Sequence, residues 1–145
     1  MSSLVLFDSN YGNTKIIADT IAAKLGTAAV SVAGLDPFSL AGVDLLVVGS
    51  PIIGWKPSER MQAFLANLGE GTLRGVKAAA FDTRVRLFIH GDAAGKISHA
   101  LEKAGARIVA RPHGFIVDGR QGPLAHGEVD KAAAWAGAIA VSVRP

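Results

Sequence analysis

Chemistry in this chain is concentrated where short apolar runs stop. The first such place is Asp8-Ser9-Asn10-Tyr11-Gly12-Asn13-Thr14, which follows Leu4-Val5-Leu6-Phe7 and precedes a stretch with helical spacing. A loop between a buried strand and a helix suits an anion. The first N–H groups of the helix have no intrahelical partners and lie at the positive end of its dipole. Ser9 and Thr14 add hydroxyl donors, and Gly12 allows close approach of the backbone. No cation stands inside the loop, so neutral donors would do the holding. An ordinary capped turn accounts for the same residues without a ligand.

Other chemistries lack their residues. There is no G-x-x-x-x-G-K-[ST] and no G-x-G-x-x-G after a strand, which disfavours Walker-type nucleotide hydrolysis and dinucleotide binding. No G-x-S-x-G supports a nucleophile elbow. His90, His99, His113 and His126 show no metal-ligand spacing and read as loop or surface histidines, with His90 lying in a loop of interest. A phosphoacceptor receiver domain would need an acidic pair after the first strand and an Asp ending the third. Here Asp44 begins that strand and Gly49-Ser50 ends it.

The elements that must position these residues follow from the apolar pattern. Leu4–Phe7, Ala28–Val32, Leu45–Val48 and Val76–Phe81 read as strands, the third halting at Gly49-Ser50-Pro51 and the fourth closed by Asp82-Thr83. Arg107–Ala110 and Gly114–Val117 are strand-like and split by Pro112. Helices are predicted from Thr14 to Leu25, from an N-cap at Ser58 through Leu68, from Ala93 to Ala104, and from Gly127-Glu128 to about Val141. Trp135 falls on the last of these and reads as core. Continuous apolar strands alternating with helices predict a parallel sheet buried on both faces. The expected fold is α/β, a doubly wound five-stranded sheet in one domain over residues 1–145. Ligands in such sheets bind beyond the carboxyl ends of the strands, which directs attention to loops 8–14, 49–57 and 82–92.

Composition agrees. The 145 residues are 50% hydrophobic and 19% charged, with a mean hydropathy of +0.34, so the chain must bury a core. Seventeen glycines without a repeat exclude collagen and fit many tight connections. The absence of cysteine excludes disulfides, thiolate zinc sites and iron–sulfur clusters, and fits a reducing compartment. The N-terminus lacks the basic start of a signal peptide, and the longest apolar run, Ala132–Val143, is too short to span a membrane. The chain therefore reads as soluble and cytoplasmic. Net charge is +3 but unevenly spread: residues 1–73 carry four basic and six acidic side chains, whereas 74–120 carry nine basic and four acidic. Such a basic middle suits an acidic partner or a phosphorylated ligand, or is simply a solvated surface.

Ser9-Asn10-Tyr11-Gly12-Asn13-Thr14 resembles the phosphate loop of flavodoxins, written [ST]-x-[ST]-G-x-T, with Tyr11 at the position usually held by Ser or Thr. The stretch from Asp44 to Pro57, with its Gly49-Ser50-Pro51 turn, resembles the flavodoxin strand that leads to the flavin ring. Phe81-Asp82-Thr83-Arg84, Gly91-Asp92-Ala93-Ala94 and Gly122-Pro123-Leu124 continue the likeness over nearly the whole chain. The resemblance implies the short-chain form, strand order 2-1-3-4-5, and FMN as cofactor. It assigns the phosphate to Ser9, Asn10, Tyr11, Gly12, Asn13 and Thr14. It sets Pro51, Ile52, Ile53, Gly54 and Trp55 along one side of the isoalloxazine ring, and Asp82, Thr83, Arg84 and Val85 toward the other. Ile53 stands where many flavodoxins place a stacking tryptophan, two residues before Trp55. Whether Trp55 stacks on the ring or anchors the loop in the core stays open, as does whether Tyr11 covers the phosphate and ribityl region or faces solvent. The cofactor carries the electron chemistry, so the resemblance implies no catalytic dyad and no metal.

The resulting expectation is an electron-transfer flavoprotein working with redox partner proteins, those partners possessing acidic docking surfaces if the basic middle is used. Nucleic acid and a membrane span are not expected. An FMN-dependent oxidoreductase acting on a quinone or a protoporphyrinogen-type substrate is the second reading. A flavin-free interaction module with the same fold is the third. Flavodoxins are usually acidic, so Arg84 and Arg86 in the third loop depart from the family.

Overall fold

The structure, a computed structural model, describes residues 2–34, 40–86 and 91–144. His90 lies outside the described residues. The chain runs β1 (Ser3–Phe7), α1 (Asn13–Leu25), β2 (Ala29–Ser31), a single 3-10 turn (Val32–Gly34), β3 (Leu45–Ile53), β4 (Lys56–Pro57), α2 (Glu59–Ala66), β5 (Lys77–Val85), α3 (Ala93–Lys103), β6 (Arg107–Ile108), β7 (His113–Val117) and α4 (Glu128–Ser142). The sheet order is β2-β1-β3-β5, with β6 and β7 both beside β5. All of these pairings are parallel; the short β4 alone pairs antiparallel, with β3. Counting β6 and β7 as one interrupted strand, this is the doubly wound order expected from the sequence. The interruption has a register cause. Lys77 pairs with Arg107 but Phe81 pairs with His113, so two extra residues loop out between β6 and β7, where Pro112 offers no N–H to a ladder.

The central strands carry continuous apolar runs because both of their faces are covered. Val5, Phe7, Leu45, Val47, Ala79 and Phe81 join one core with Ile17 and Ile21 of α1 and Ala132, Ala136 and Ile139 of α4. Leu6, Leu46, Val48, Ala78 and Ala80 join the other, with Met61 of α2 and Ile97 and Leu101 of α3. Trp135 packs on the first core, half-buried, with its ring edge-on to Phe81 and Phe115 at centroid distances of 6.1 and 6.0 Å. Gly49 makes room for Phe81: a Cβ there would collide with the phenyl ring. Among the described residues no helix is long and apolar enough to cross a membrane.

Two strands are longer than the sequence predicts. β3 does not halt at Gly49-Ser50-Pro51 but continues to Ile53, because Ile52 and Ile53 pair with Pro57 and Lys56 in a hairpin. β5 passes Asp82-Thr83 and reaches Val85, because Thr83, Arg84 and Val85 find ladder partners in Phe115, Ile116 and Val117. The segments expected as loops are in part strand ends. Their side chains are thereby held by the sheet.

Candidate functional site

The first loop leaves β1 and turns directly into α1. Asp8 N–H still donates to Gly49 O at 3.1 Å, so the loop begins anchored to β3. Ser9 Oγ accepts from Gly12 N–H at 3.0 Å and closes the turn. Gly12 has φ +92°, a left-handed conformation that favours glycine, and serves as the N-cap of α1 without any side-chain cap. The first helical bond is Ile16 N–H to Gly12 O at 3.1 Å. The helix end thus presents backbone donors. Thr14 is buried, its Oγ1 2.8 Å from Thr83 Oγ1, which ties the start of α1 to the end of β5. The Asn13 side chain abuts Gly122, where a Cβ would lie 2.6 Å from Asn13 Oδ1.

The end of β3 forms a wall facing the end of β5. Pro51 and Ile52 are partly buried and Ile53 is exposed. Gly54 and Trp55 form the two-residue turn of the β3–β4 hairpin, both at positive φ, +57° and +75°. Two consecutive left-handed residues are the type I′ pattern that matches strand twist. For a tryptophan this conformation is strained. Trp55 is also 56% exposed, so it is not a core anchor. Its backbone packs on Gly91, where a Cβ would lie 2.6 Å from Trp55 O, and Asp92 N–H points to that oxygen at 3.4 Å.

These walls enclose a cleft of about 330 Å³ at the carboxyl ends of the strands. Ser9, Asn10, Tyr11, Asn13 and Thr14 line one end of it. Pro51, Ile52, Ile53, Gly54 and Trp55 line a second side, and Thr83, Arg84 and Val85 a third. Tyr11 is half-exposed there. Of the fifteen residues singled out in the sequence, the cleft gathers all but Gly12 and Asp82. Gly12 contributes the turn behind the lining. Val117 and Arg120 are added, and neither carries a sequence signal beyond its nearness to the Gly119–Gly122 turn.

Asp82 faces inward. It is fully buried and accepts hydrogen bonds from Arg84 Nε at 2.8 Å, Arg84 Nη2 at 2.6 Å and Ala94 N–H at 2.9 Å. Alternation along β5 explains this: Asp82 and Arg84 share one face, and Thr83 and Val85 the other. Arg84 lies across Gly114, where a Cβ would collide with the guanidinium, and reaches Asp92 Oδ1 at 3.7 Å. Its hydrogen bonds to Asp82 raise the guanidinium pKa against the opposing effect of burial. Arg84 therefore meets the cleft with its charge already matched.

A second buried network went unmarked in the sequence. Asp8 accepts from Ser58 Oγ and Arg60, while Ser50 Oγ accepts from Ser58 N–H at 2.9 Å and donates to Pro51 O at 2.8 Å. Ser58 is the expected N-cap of α2, its Oγ accepting from Met61 N–H at 3.2 Å. No local pattern could pair Asp8 with residues fifty positions away.

The donor set fits a phosphorylated, flat, largely apolar ligand: hydroxyls, amides and a helix end at one side, and Pro51, Ile52, Ile53, Val85 and Val117 around the slot. Comparison with known proteins is consistent. A flavodoxin domain family model matches residues 4–86, more than half of the chain and both walls of the cleft. Among curated proteins none matches. The chain is similar to oxidised flavodoxin 1 of Bacillus cereus, with a TM-score of 0.85 at 19% identity over 99% of this chain and 100% of that one. Flavodoxin 2 of Bacillus cereus superposes with a TM-score of 0.81 at 24% identity, over 97% and 99% of the two chains. A flavodoxin from the domain Archaea gives 0.80 at 20% identity over 99% of each. With that model matched over more than half of the chain and the doubly wound order in place, the chain belongs to the flavodoxin domain family.

Proposed function

We propose that the protein binds FMN in this cleft and transfers electrons between redox partner proteins. The observation that carries the reading is one cleft, at the point where the strand order reverses between β1 and β3, joining an open helix start to an apolar slot. Ser9, Asn10, Asn13, Thr14 and the N–H groups at the start of α1 would hold the phosphate. Pro51 to Trp55 would flank the ring on one side, and Thr83, Arg84 and Val85 on the other, with Asp82 fixing Arg84 from behind. FMN, when bound, supplies the redox chemistry. The chain binds and orients it, excludes water from one ring face with Pro51 and Ile52, and leaves Trp55, Ile53 and Tyr11 at the mouth where a partner would dock. This reading also fits a protein acting inside the cell.

The test is a visible spectrum of purified protein, followed by titration of the flavin-free chain with FMN and riboflavin. Stoichiometric FMN and rejection of riboflavin are expected, because charge-assisted hydrogen bonds to a phosphate contribute roughly 1.5–3 kcal/mol each. Equal affinities would show that residues 9–14 are not a phosphate site. Steady NAD(P)H-to-quinone turnover by the protein alone would instead identify an FMN-dependent oxidoreductase.

A further inference from the structure

Asp8 presents a physical problem at the root of the first loop. Its carboxylate is 2% exposed and directly precedes the residues that would receive a phosphate dianion. A buried negative charge beside such a site opposes binding. α2 supplies the counter-charge. Arg60 forks onto Asp8, with Nε 3.0 Å from Oδ1 and 3.2 Å from Oδ2, and Nη2 2.9 Å from Oδ1. Ser58 Oγ completes the set by donating to Oδ2 at 2.5 Å. The same Nη2 stands 3.5 Å from Asn10 Oδ1, and Asn10 lines the cleft. Arg60 thus joins the buried carboxylate to the loop itself.

We infer that Arg60 is a positioning residue that gives the cleft its preference for a phosphorylated flavin over the unphosphorylated one, by cancelling the Asp8 charge and steadying Asn10. The inference rests on the FMN reading. Arg60 is not itself part of the cleft lining, and the loop contains no cation, so the counter-charge is delivered by tertiary structure alone. An uncharged ligand end would be indifferent to it.

The experiment measures FMN and riboflavin dissociation constants for the full chain, after flavin removal, in wild type and three variants, with far-UV circular dichroism on each. Arg60→Gln should weaken FMN by roughly tenfold at low salt while leaving riboflavin nearly unchanged, a modest effect because Arg60 is half-exposed and screened. The double variant Asp8→Asn/Arg60→Gln removes both charges and should recover the FMN preference. Arg60→Lys keeps the charge without the fork and should hold the preference within about threefold. Should Arg60→Gln fail to fold, these two variants still decide. Equal weakening of both flavins, a lysine variant without the preference, or a double variant that does not recover it would overturn the inference. A wild type that prefers neither flavin would overturn the FMN reading and this inference with it.

Discussion

Single side chains at this cleft do more than one job. Thr14 is buried and shares its hydroxyl hydrogen bond with Thr83, so Thr14→Ala removes a proposed ligand donor and also strands Thr83. A loss of about 1–2 kcal/mol in FMN affinity is expected by flavin fluorescence titration, with a lower melting point of the flavin-free chain. Gly12→Val should cost more, for a conformational reason. A Cβ at Gly12 meets no protein atom within 4 Å, but φ +92° disfavours a branched residue by about 1–2 kcal/mol. Arg84 and Arg86 differ in kind although they are neighbours. Arg84 neutralises buried Asp82, whereas Arg86 is exposed. Removing Arg84 uncovers a carboxylate near the proposed ring site. Arg84→Gln should therefore lower the midpoint potential of bound FMN by some tens of millivolts, given a charge about 10 Å away at an effective dielectric near 20. It should also destabilise the fold by about 3 kcal/mol, since Asp82 loses its ion partner. Arg86→Gln should shift the potential less, and not at all in high salt. A redox titration showing equal shifts would mean that the Asp82 pairing does not matter.

At the scale of elements, the β3–β4 hairpin is the least relaxed piece of backbone around the cleft. Its type I′ turn calls for two left-handed residues, and the second is Trp55 rather than glycine. Holding a bulky residue there costs about 1 kcal/mol or more, and strain of this kind is retained where surroundings or function demand it. Trp55→Gly should relieve it, raising the melting temperature of the flavin-free chain by about 3 °C. The same change should weaken FMN if the indole covers the ring. A variant that is more stable and binds FMN as well as wild type would make Trp55 a docking or solvent-facing residue. The turn is also braced from the other wall, because Gly91 and Asp92 pack on the Trp55 backbone while Asp92 caps α3 through Gly95 N–H at 2.8 Å.

Across the whole molecule, charge is distributed by the fold rather than by position in the chain. Of the cations that make residues 74–120 basic, Lys77 and Arg107 begin β5 and β6 and Lys103 ends α3, at the opposite end of the sheet from the cleft, and Arg84 and Arg120 line it. Of the two cations that line the cleft among the described residues, Arg84 is matched by buried Asp82 and by Asp92, so the basic excess is not concentrated there. Two ionisable groups at α4, the partly buried His113 beside it and the buried Glu128 at its start, predict acid sensitivity. His113 stacks on Phe115 at 4.3 Å, and burial lowers its pKa against Glu128 and Asp82, which raise it, with Lys131 and Arg84 adding to the lowering. Burial raises the Glu128 pKa, but the Ile116 N–H bond at 2.6 Å and Lys131 at 2.9 Å outweigh it and hold the carboxyl low. The unfolded chain takes up the His113 proton first, so stability falls as pH drops below about 6.5. Glu128 contributes stability that is present above its ordinary value and lost as pH falls through its lower folded one. Melting curves should show a decline from pH 7 to 5 that His113→Phe flattens, and a further decline below about 4.5 that Glu128→Gln flattens.

What the sequence determined by itself was set by local rules. Two-sided apolar runs specified buried parallel strands, Ser58 specified the start of α2, Pro112 split the last strand, and the polar segment from Ser9 to Thr14 marked the loop at the switch point. Each of these is written within a few residues of chain. The tertiary structure alone decided the rest. It carried β3 to Pro51 against β5 and β5 to Val85 against β7, because a strand continues as long as a neighbour offers ladder partners and these neighbours are distant in sequence; the last step of β3, to Ile53, is made by its own local hairpin. It turned Asp82 away from the cleft onto Arg84 and the start of α3, and it added Val117 and Arg120 to the lining. It also set Arg60 on Asp8. Periodicity records which side of a strand is buried, but a buried carboxylate acquires its partner only when the sheet register brings the two together.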